Sequence, residues 1–368
     1  LQNLGHNASQ CGTRSSPHSK DVMKSQAGPL SPVEPQRRPS LADIAEQTGV
    51  SISTVSKVVN GKSDVSEATR RRVEQAIRNR QYVPPRDRRG DSRLSIAVLA
   101  RSMTSPYTLE ILRGAATAAE SADADLVLSM YHDGSDDRSW IESMVRGGRD
   151  AVIAVTSMLD GEEIDRLNEV GLPLVIVDPF NDPQPDTVSV GSTNWNGGLA
   201  GTEHLLALGH SRIGLLIGVR HALASRAREH GYVAALTAAG ITVDPGLILP
   251  GEYTFESGVE GALELLALPE PPTAIFAASD HQALGVIEAA RRRAVRVPED
   301  LSVVGFDDLP IALSASPPLT TVRQPLSEMG ALAMRTAIAM TEGEEPATHH
   351  TELATSLVVR ASSRSTSG

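Results

Sequence analysis

Three short amphipathic segments open the patterned part of the chain. In residues 41–47 and 51–60 the apolar positions Ile44, Ala45, Val50, Val55, Val58 and Val59 recur at spacings that let two crossed helices share one small core. Residues 67–80 predict a third helix that adds Val73, Ala76 and Ile77. Ser40 and Asp43 stand as N-cap and third position of the first helix, a capping box with Asp in place of Glu. Gly49 ends that helix by supplying the positive φ of a sharp turn, and Ser51 caps the second. This is helix-turn-helix grammar. Ser51, Ile52, Ser53, Thr54 and Lys57 are left on the outward face near the start of the second helix, where small polar side chains fit a DNA groove.

From Leu94 the pattern changes. Short apolar runs at residues 94–100, 124–128, 151–155 and 174–178, then 213–217, 247–249, 274–277 and 301–306, alternate with amphipathic stretches such as 202–208 and 281–293. Such alternation predicts two doubly wound parallel sheets, each covered by helices. The expected fold is therefore an all-α helix-turn-helix headpiece followed by a two-lobed α/β sensor. Ligands of such sheets sit outside the carboxyl ends of the strands, so an effector is expected in a cleft between the lobes.

Composition narrows the setting. Of 368 residues 40% are apolar but only 3% aromatic, so Ala, Val, Leu and Ile must fill the cores. No apolar run approaches the roughly 20 residues of a membrane span, and the opening residues lack a basic segment followed by an apolar one. The single cysteine, Cys11, excludes internal disulfides and multi-thiolate zinc sites, and a reducing, cytoplasmic setting is expected. Formal net charge is −11, but it is unevenly spread. Residues 36–93 carry 13 Lys and Arg against 7 Asp and Glu, whereas residues 94–368 carry 18 against 36. A small basic module before a large acidic one is a nucleic-acid footprint. Residues 1–39, rich in Ser, Gly, Asn, Gln and Pro, read as a disordered arm, with Met23 a candidate start.

The run LADIAEQTGVSISTVSKVVN at residues 41–60, followed by Val65-Ser66 and Thr69-Arg70, resembles the DNA-binding headpiece of the LacI/GalR (lactose-repressor) family. The resemblance implies that Ile52 and Ser53 read bases and that Lys57 contacts bases or phosphates, with Ser51, Thr54 and Asn60 completing the DNA-facing set. The headpiece then spans residues 40–81 and a hinge 82–93. In this family the hinge opens with Tyr-x-Pro-Asn and carries a leucine that wedges into the minor groove. Here Tyr82-Val83-Pro84-Pro85 replaces the asparagine by proline, the stretch is a few residues shorter, and no lever leucine is visible near Asp91. Weaker kinking of DNA is expected, with Arg86, Arg88 and Arg89 supplying phosphate or minor-groove contacts.

The resemblance continues through TEHLLALGHSRI (202–213), Arg228 with Gly231-Tyr232, SDHQALG (279–285), VVGFDD (303–308) and PLTTVRQ (318–324). It implies a periplasmic-binding-protein-like sensor over residues 94–360 with three chain crossings between lobes, and leaves 361–368 as a disordered tail. The first lobe is expected to hold residues 94–190 plus a return near 321–341. By the same resemblance Tyr107, Asp178, Arg228, Tyr253, Ser279 and Asp307 line the effector cleft. The forked guanidinium of Arg228 suits vicinal hydroxyls, Asp307 can accept from two of them, and Tyr253 can stack on a sugar face. Thr108 after Tyr107 leaves an aromatic sandwich for a purine incomplete, so a mono- or oligosaccharide is the expected effector. Asp280 and Asp308 read as a helix cap or a bonded turn.

No Gly-x-Gly-x-x-Gly, Walker loop, Gly-x-Ser-x-Gly or His-Glu-x-x-His occurs, and neither cofactor, metal nor catalytic residue is expected. His349-His350 sits in a Gly, Glu and Pro context that reads as a surface loop. The expected function is a homodimeric, sequence-specific DNA-binding regulator, a repressor, answering to a sugar, with double-stranded operator DNA as partner and no membrane. A sugar-binding protein without a transcriptional role and an α/β sugar-metabolising enzyme are the alternatives.

Overall fold

The computed structural model describes residues 41–59, 65–79, 93–131 and 139–366. Asn60, Arg86, Arg88 and Arg89, the whole hinge up to residue 92 and the expected disordered arm lie outside the described residues.

The first unit holds α1 (Leu41–Thr48), α2 (Ile52–Val59) and α3 (Glu67–Asn79). Its core is small. Ile44, Ala45, Val55, Val58, Val73 and Ala76 are buried, with Val50, Val65 and Ile77 packed at the edge. Gly49 takes φ of +63°, and the turn closes when the Val50 amide donates to the Ala45 carbonyl at 3.2 Å. The Ser51 hydroxyl accepts from the Thr54 amide at 3.2 Å, so it caps α2 as its sequence position demands. Thr48 extends α1 because its hydroxyl donates back to the Ile44 carbonyl at 2.6 Å.

The second unit contains two six-stranded sheets. In the first, β1 (Leu94–Ala100), β2 (Ala124–Met130), β3 (Ala151–Val155), β4 (Leu174–Val177) and β5 (Val188–Ser192) run parallel, and a late strand, β11 (His350–Leu353), joins β5 at the edge. The strands are buried on both faces: Ile96, Val98, Ile153 and Val155 meet α4 (Pro106–Ser121) and α12 (Leu326–Thr341), while Ala97, Leu99, Val152 and Ala154 meet α5 (Ser139–Arg146) and α6 (Gly161–Glu169). Continuous apolar runs, not alternation, are the signature of such sheets.

The second sheet repeats the order with β6 (Ile213–Leu216), β7 (Ile248–Leu249), β8 (Ala274–Ala277), β9 (Ser302–Asp307) and β10 (Thr320–Arg323), closed by an antiparallel edge strand, β12 (Ser356–Val358). Around it stand α7 (Asn194–Ala207), α8 (Leu223–Ala238), α9 (Phe255–Leu265), α10 (Asp280–Arg292) and the short α11 (Pro310–Ser314). The chain passes between lobes at residues 193, 324–325 and 354–355.

The return to the first lobe does not begin near Thr321, because Thr320–Arg323 is β10 of the second sheet, paired in parallel with β9; the return starts at Pro325. His350 opens an edge strand instead of a surface loop, its Nδ1 lying 3.0 Å from the Ser189 hydroxyl. Residues 361–366 are not a loose tail. Ser362 is fully buried, its hydroxyl donating to the Val303 carbonyl at 2.6 Å and accepting from the Thr320 amide at 2.8 Å. Beyond it the Arg364 carbonyl meets His210 Nε2 at 3.1 Å and the Thr366 amide reaches the Leu208 carbonyl at 2.9 Å. A run of Ser and Arg concealed this, because its anchoring is through hydrogen bonds and not apolar contact. Ser362→Ala leaves a buried donor and acceptor short of a partner, and a loss of about 2 kcal/mol is expected in urea unfolding of the full chain.

Candidate functional site

Both sheets aim their carboxyl ends at one cleft of about 760 Å³. Its walls come from the ends of β1, β3 and β4 and the start of α4 on one side, and from the ends of β6, β8 and β9 with α8 and α9 on the other. Thr156, Asp178 and Asp307 stand where β3, β4 and β9 stop, and all three have positive φ (45°, 51° and 110°). That conformation costs a non-glycine residue roughly 1–3 kcal/mol, and it recurs where a side chain must be held toward a ligand.

All six sequence-derived effector residues, Tyr107, Asp178, Arg228, Tyr253, Ser279 and Asp307, line this cleft. Arg228 is the centre. It leaves α8 only 3% exposed, stacks over Phe306 with its guanidinium carbon 3.7 Å from the ring centroid, and donates from Nε to Asn194 Oδ1 at 2.8 Å. Its Nη1 donates to the Ala278 carbonyl and lies 3.9 Å from Asp307 Oδ1. Packing brings it there: α8 and α7 approach until a Cβ on Gly198 would sit 2.3 Å from the Arg228 carbonyl oxygen and one on Gly231 would sit 2.2 Å from the Trp195 carbonyl oxygen. An arginine held by so many partners loses little rotamer freedom when a ligand arrives.

Two carboxylates flank it. Asp178 accepts from the Tyr107 hydroxyl at 2.8 Å, and Asp307 accepts from Gln324 Nε2 at 2.7 Å. Burial lifts the Asp178 carboxyl above its ordinary value against the pull of Arg228 and the Tyr107 hydroxyl. Burial likewise pushes Asp307 up to about 7, again opposed by Arg228 and the Gln324 bond. The Tyr107 hydroxyl is held well above its usual range by burial and by the Asp178 charge. Burial thus works against the charge of both carboxyls while a single guanidinium works for it, and in their ionised form they accept from the hydroxyls of a neutral polyhydroxylated ligand that in turn accepts from arginine.

Tyr253 and Ser279 are partly engaged within the protein. The Tyr253 hydroxyl lies 2.5 Å from the Ser225 hydroxyl and its ring lies against Gly218, where a Cβ would come within 2.1 Å. Ser279 caps α10, accepting from the Gln282 amide at 3.1 Å, while its hydroxyl donates to the Tyr253 carbonyl at 3.3 Å. Asp280 does not face the cleft: it accepts from the Leu309 amide at 2.7 Å and the Thr321 hydroxyl at 2.5 Å. Asp308 pairs with Arg323 and Arg360 at 2.7 and 2.6 Å. Sequence reasoning missed Asn194, the Phe306 platform and the lining rings Phe180 and Phe255. Phe306 and Gln324 stood inside recognisable strings, but nothing in a string tells which side chains a folded chain brings under a distant arginine.

In the first unit Ser51 and Lys57 are exposed and Thr54 is half-buried, its hydroxyl 2.8 Å from that of Ser51. Ile52 and Ser53 open α2 on the same turn. Among the described residues no helix is long and apolar enough to cross a membrane, and no cluster of His, Cys, Asp and Glu has the form of a metal site.

Comparison with known proteins agrees with this architecture. The family described as bacterial regulatory proteins, lacI family, matches residues 40–85, and the periplasmic binding protein-like domain matches residues 202–363. The HTH-type transcriptional repressor CytR of Escherichia coli (strain K12) is 34% identical over 330 residues, covering 88% of this chain and 96% of its own length. The HTH-type transcriptional regulator CelR of Thermobifida fusca is 34% identical over 346 residues, covering 90% of this chain and 100% of its own. A solved CelR–cellobiose complex superposes with a TM-score of 0.68 at 33% identity, covering 88% of this chain and 100% of that one. The lac repressor dimer bound to operator and the anti-inducer ONPF superposes with 0.66 at 29% identity, covering 89% and 99%. The chain belongs to the LacI family of bacterial regulatory proteins and is a helix-turn-helix transcriptional regulator.

Proposed function

We propose that the protein is a cytoplasmic repressor that grips a pseudo-palindromic operator as a homodimer and lets go when a neutral mono- or oligosaccharide fills the cleft between its lobes. The observation that carries this reading is the meeting of Arg228 and Asp307 in a cleft of about 760 Å³, with Asp178 and Tyr107 opposite. The fork of Arg228 takes two vicinal hydroxyl oxygens, Asp307 accepts from two hydroxyls, and the ring of Tyr253 offers an apolar face. The cellobiose held by CelR and the operator held by the lac repressor dimer support the ligand class and the partner. The reading is of a binding site and not of an enzyme, in keeping with relatives that are transcriptional regulators. Sugar binding shifts the balance between lobe arrangements, and a coupling of about 1–3 kcal/mol lowers operator affinity roughly 5- to 150-fold.

Isothermal titration of the full chain with cellobiose, ribose, cytidine, adenosine and the free bases cytosine and adenine tests the ligand class. Binding of a sugar with no binding of the free bases is expected. Phe180 and Phe255 add to the aromatic lining, and they favour a nucleoside as the second reading. Base-dependent binding without any response to free sugars would select it.

On the DNA side, Ser51, Ile52, Ser53, Thr54, Lys57 and Asn60 form the reading set. Replacing Ile52 and Ser53 by Ala is expected to change which base pairs are preferred, costing about 1–3 kcal/mol at the affected position, while leaving the dependence of affinity on salt as it was. Replacing Arg86, Arg88 and Arg89 together is expected to lower affinity for all sequences and to flatten the salt dependence by about one unit for each phosphate left without its arginine. With no lever leucine in the hinge, electrophoretic phasing of the operator complex is expected to give a bend well below that of a fully wedged minor groove. A full kink would refute the assignment of the hinge contacts to arginine.

A further inference from the structure

The three chain crossings are tied to one another and to the two residues at the centre of the cleft. In the first crossing, Ser192 ends β5 and Asn194 begins α7; in the second, Gln324 follows β10; in the third, Thr355 precedes β12. Asn194 faces both ways: its Oδ1 accepts from Arg228 Nε at 2.8 Å and its Nδ2 donates to the Ser192 carbonyl at 3.2 Å. Gln324 does the same on the other arm, its Nε2 donating to Asp307 Oδ1 at 2.7 Å and its Oε1 accepting from the Ser192 hydroxyl at 2.5 Å. Both arms therefore end on one residue, Ser192, which is 1% exposed. Thr193, next in the chain, fastens the third crossing: its amide donates to the Leu353 carbonyl at 2.9 Å, and its hydroxyl accepts from the Thr355 amide at 3.0 Å.

We propose that Asn194, Gln324 and Ser192 are positioning residues that transmit the occupancy of the cleft to the lobe crossings. The proposal rests on the reading of this cleft as the effector site. Asn194 and Gln324 are buried amides whose two ends both need partners, so any movement of Arg228 or Asp307 must move an amide or break a buried hydrogen bond. Each amide's far end is held by Ser192, at the point where the backbone changes lobes. A hydroxyl that pulls Asp307 or Arg228 toward the ligand therefore pulls on two crossings at once, and Thr193 carries the displacement to the third. Direct contact between a ligand and the two lobes would close the cleft without this network, which makes the two mechanisms separable.

The test uses no effector, so it decides the relay independently of the sugar reading. In the full chain with Cys11→Ser, spin labels are placed on the exposed first-lobe and second-lobe positions Glu120 and Glu299 through E120C and E299C, and labelled chains are diluted with unlabelled ones. Pulsed electron resonance then gives the distribution of interlobe distances. Arg228→Ala is expected to shift that distribution in the otherwise native background. With Ser192→Ala and Asn194→Asp present, which keep the acceptor toward Arg228 but cut both links to Ser192, the same substitution is expected to produce no shift. A shift of equal size in both backgrounds, or none in the native one, overturns the proposal. Asn194→Asp alone, which cuts the one link that runs from Arg228 through Asn194 to Ser192, serves if the double variant does not fold, and its expected result is a shift reduced by more than half. Thermal unfolding midpoints recorded beside the distances separate relay from stability, since a purely structural role lowers the midpoint and leaves the dependence on Arg228 intact.

Discussion

Arg228→Ala is expected to abolish the response to effector while leaving operator affinity within about threefold of the native protein. Hydrogen bonds from a charged, buried donor are worth about 1.5–3 kcal/mol each, so removal of even one pair of them is expected to weaken sugar binding at least 100-fold. The substitution also strips Asp178 and Asp307 of the counter-charge that opposes their burial, which drives both further toward the protonated, poorly accepting form. Arg228→Lys keeps the charge but neither the fork nor the flat packing on Phe306 at 3.7 Å, and an intermediate loss is expected. Sugar titration with release of a fluorescent operator measures both arms. An unchanged sugar response in Arg228→Ala would remove the cleft assignment.

Effector affinity is expected to rise with pH through neutrality. Burial, the largest influence on it, pushes the Asp307 carboxyl from its ordinary 3.8 up to about 7. Only its ionised form accepts from two hydroxyls, so sugar binding must release the proton, and affinity falls up to tenfold per pH unit below 7. The sign for stability is opposite. A carboxyl whose folded value lies above its unfolded value favours the folded state fully below about 4, and that contribution is lost as pH rises toward 7. Asp307→Asn is expected to bind sugar weakly, with a profile that is flat from about pH 5 to about pH 8, and to remove this component of the stability curve. A native affinity that is constant over the same range would contradict the role given to Asp307.

Most of the fold was legible because each element announces itself locally. Buried parallel strands such as residues 151–155 are continuous apolar runs, and Gly49 and Ser51 mark the turn and cap of the headpiece by chemistry that few other residue types supply as well. What escaped was structure held by polar bonds between distant segments. β10, β11 and β12 are short, rich in Thr, Ser, Glu and Arg, and exist because their partners in the sheet exist. Ser362 offers no apolar signal at all, yet it is fully buried.

The cleft divides in the same way. Arg228, Asp307, Asp178 and Tyr107 were reachable because strand ends and family strings point at them. Asn194 was not, since an Asn at the start of a helix is usually read as a cap, and here its side chain turns away to bridge Arg228 and Ser192. Asp280 shows the converse. Its sequence position reads as a cap or a bonded turn, and its oxygens are indeed taken by the Leu309 amide and the Thr321 hydroxyl, while Leu309 itself packs into the core of the other lobe.

The central claim is that this chain reads a few operator sites and that its cleft controls the reading. The most direct measurement is to incubate the full-length protein with sheared DNA of its own genome at moderate salt, sequence what is retained, and repeat the retention with each sugar found to bind. The account predicts enrichment of a small number of pseudo-palindromic sites with half-sites about one helical turn apart, and their loss when the cleft is filled. Uniform retention of all fragments, or enriched sites that no cleft ligand releases, would contradict it.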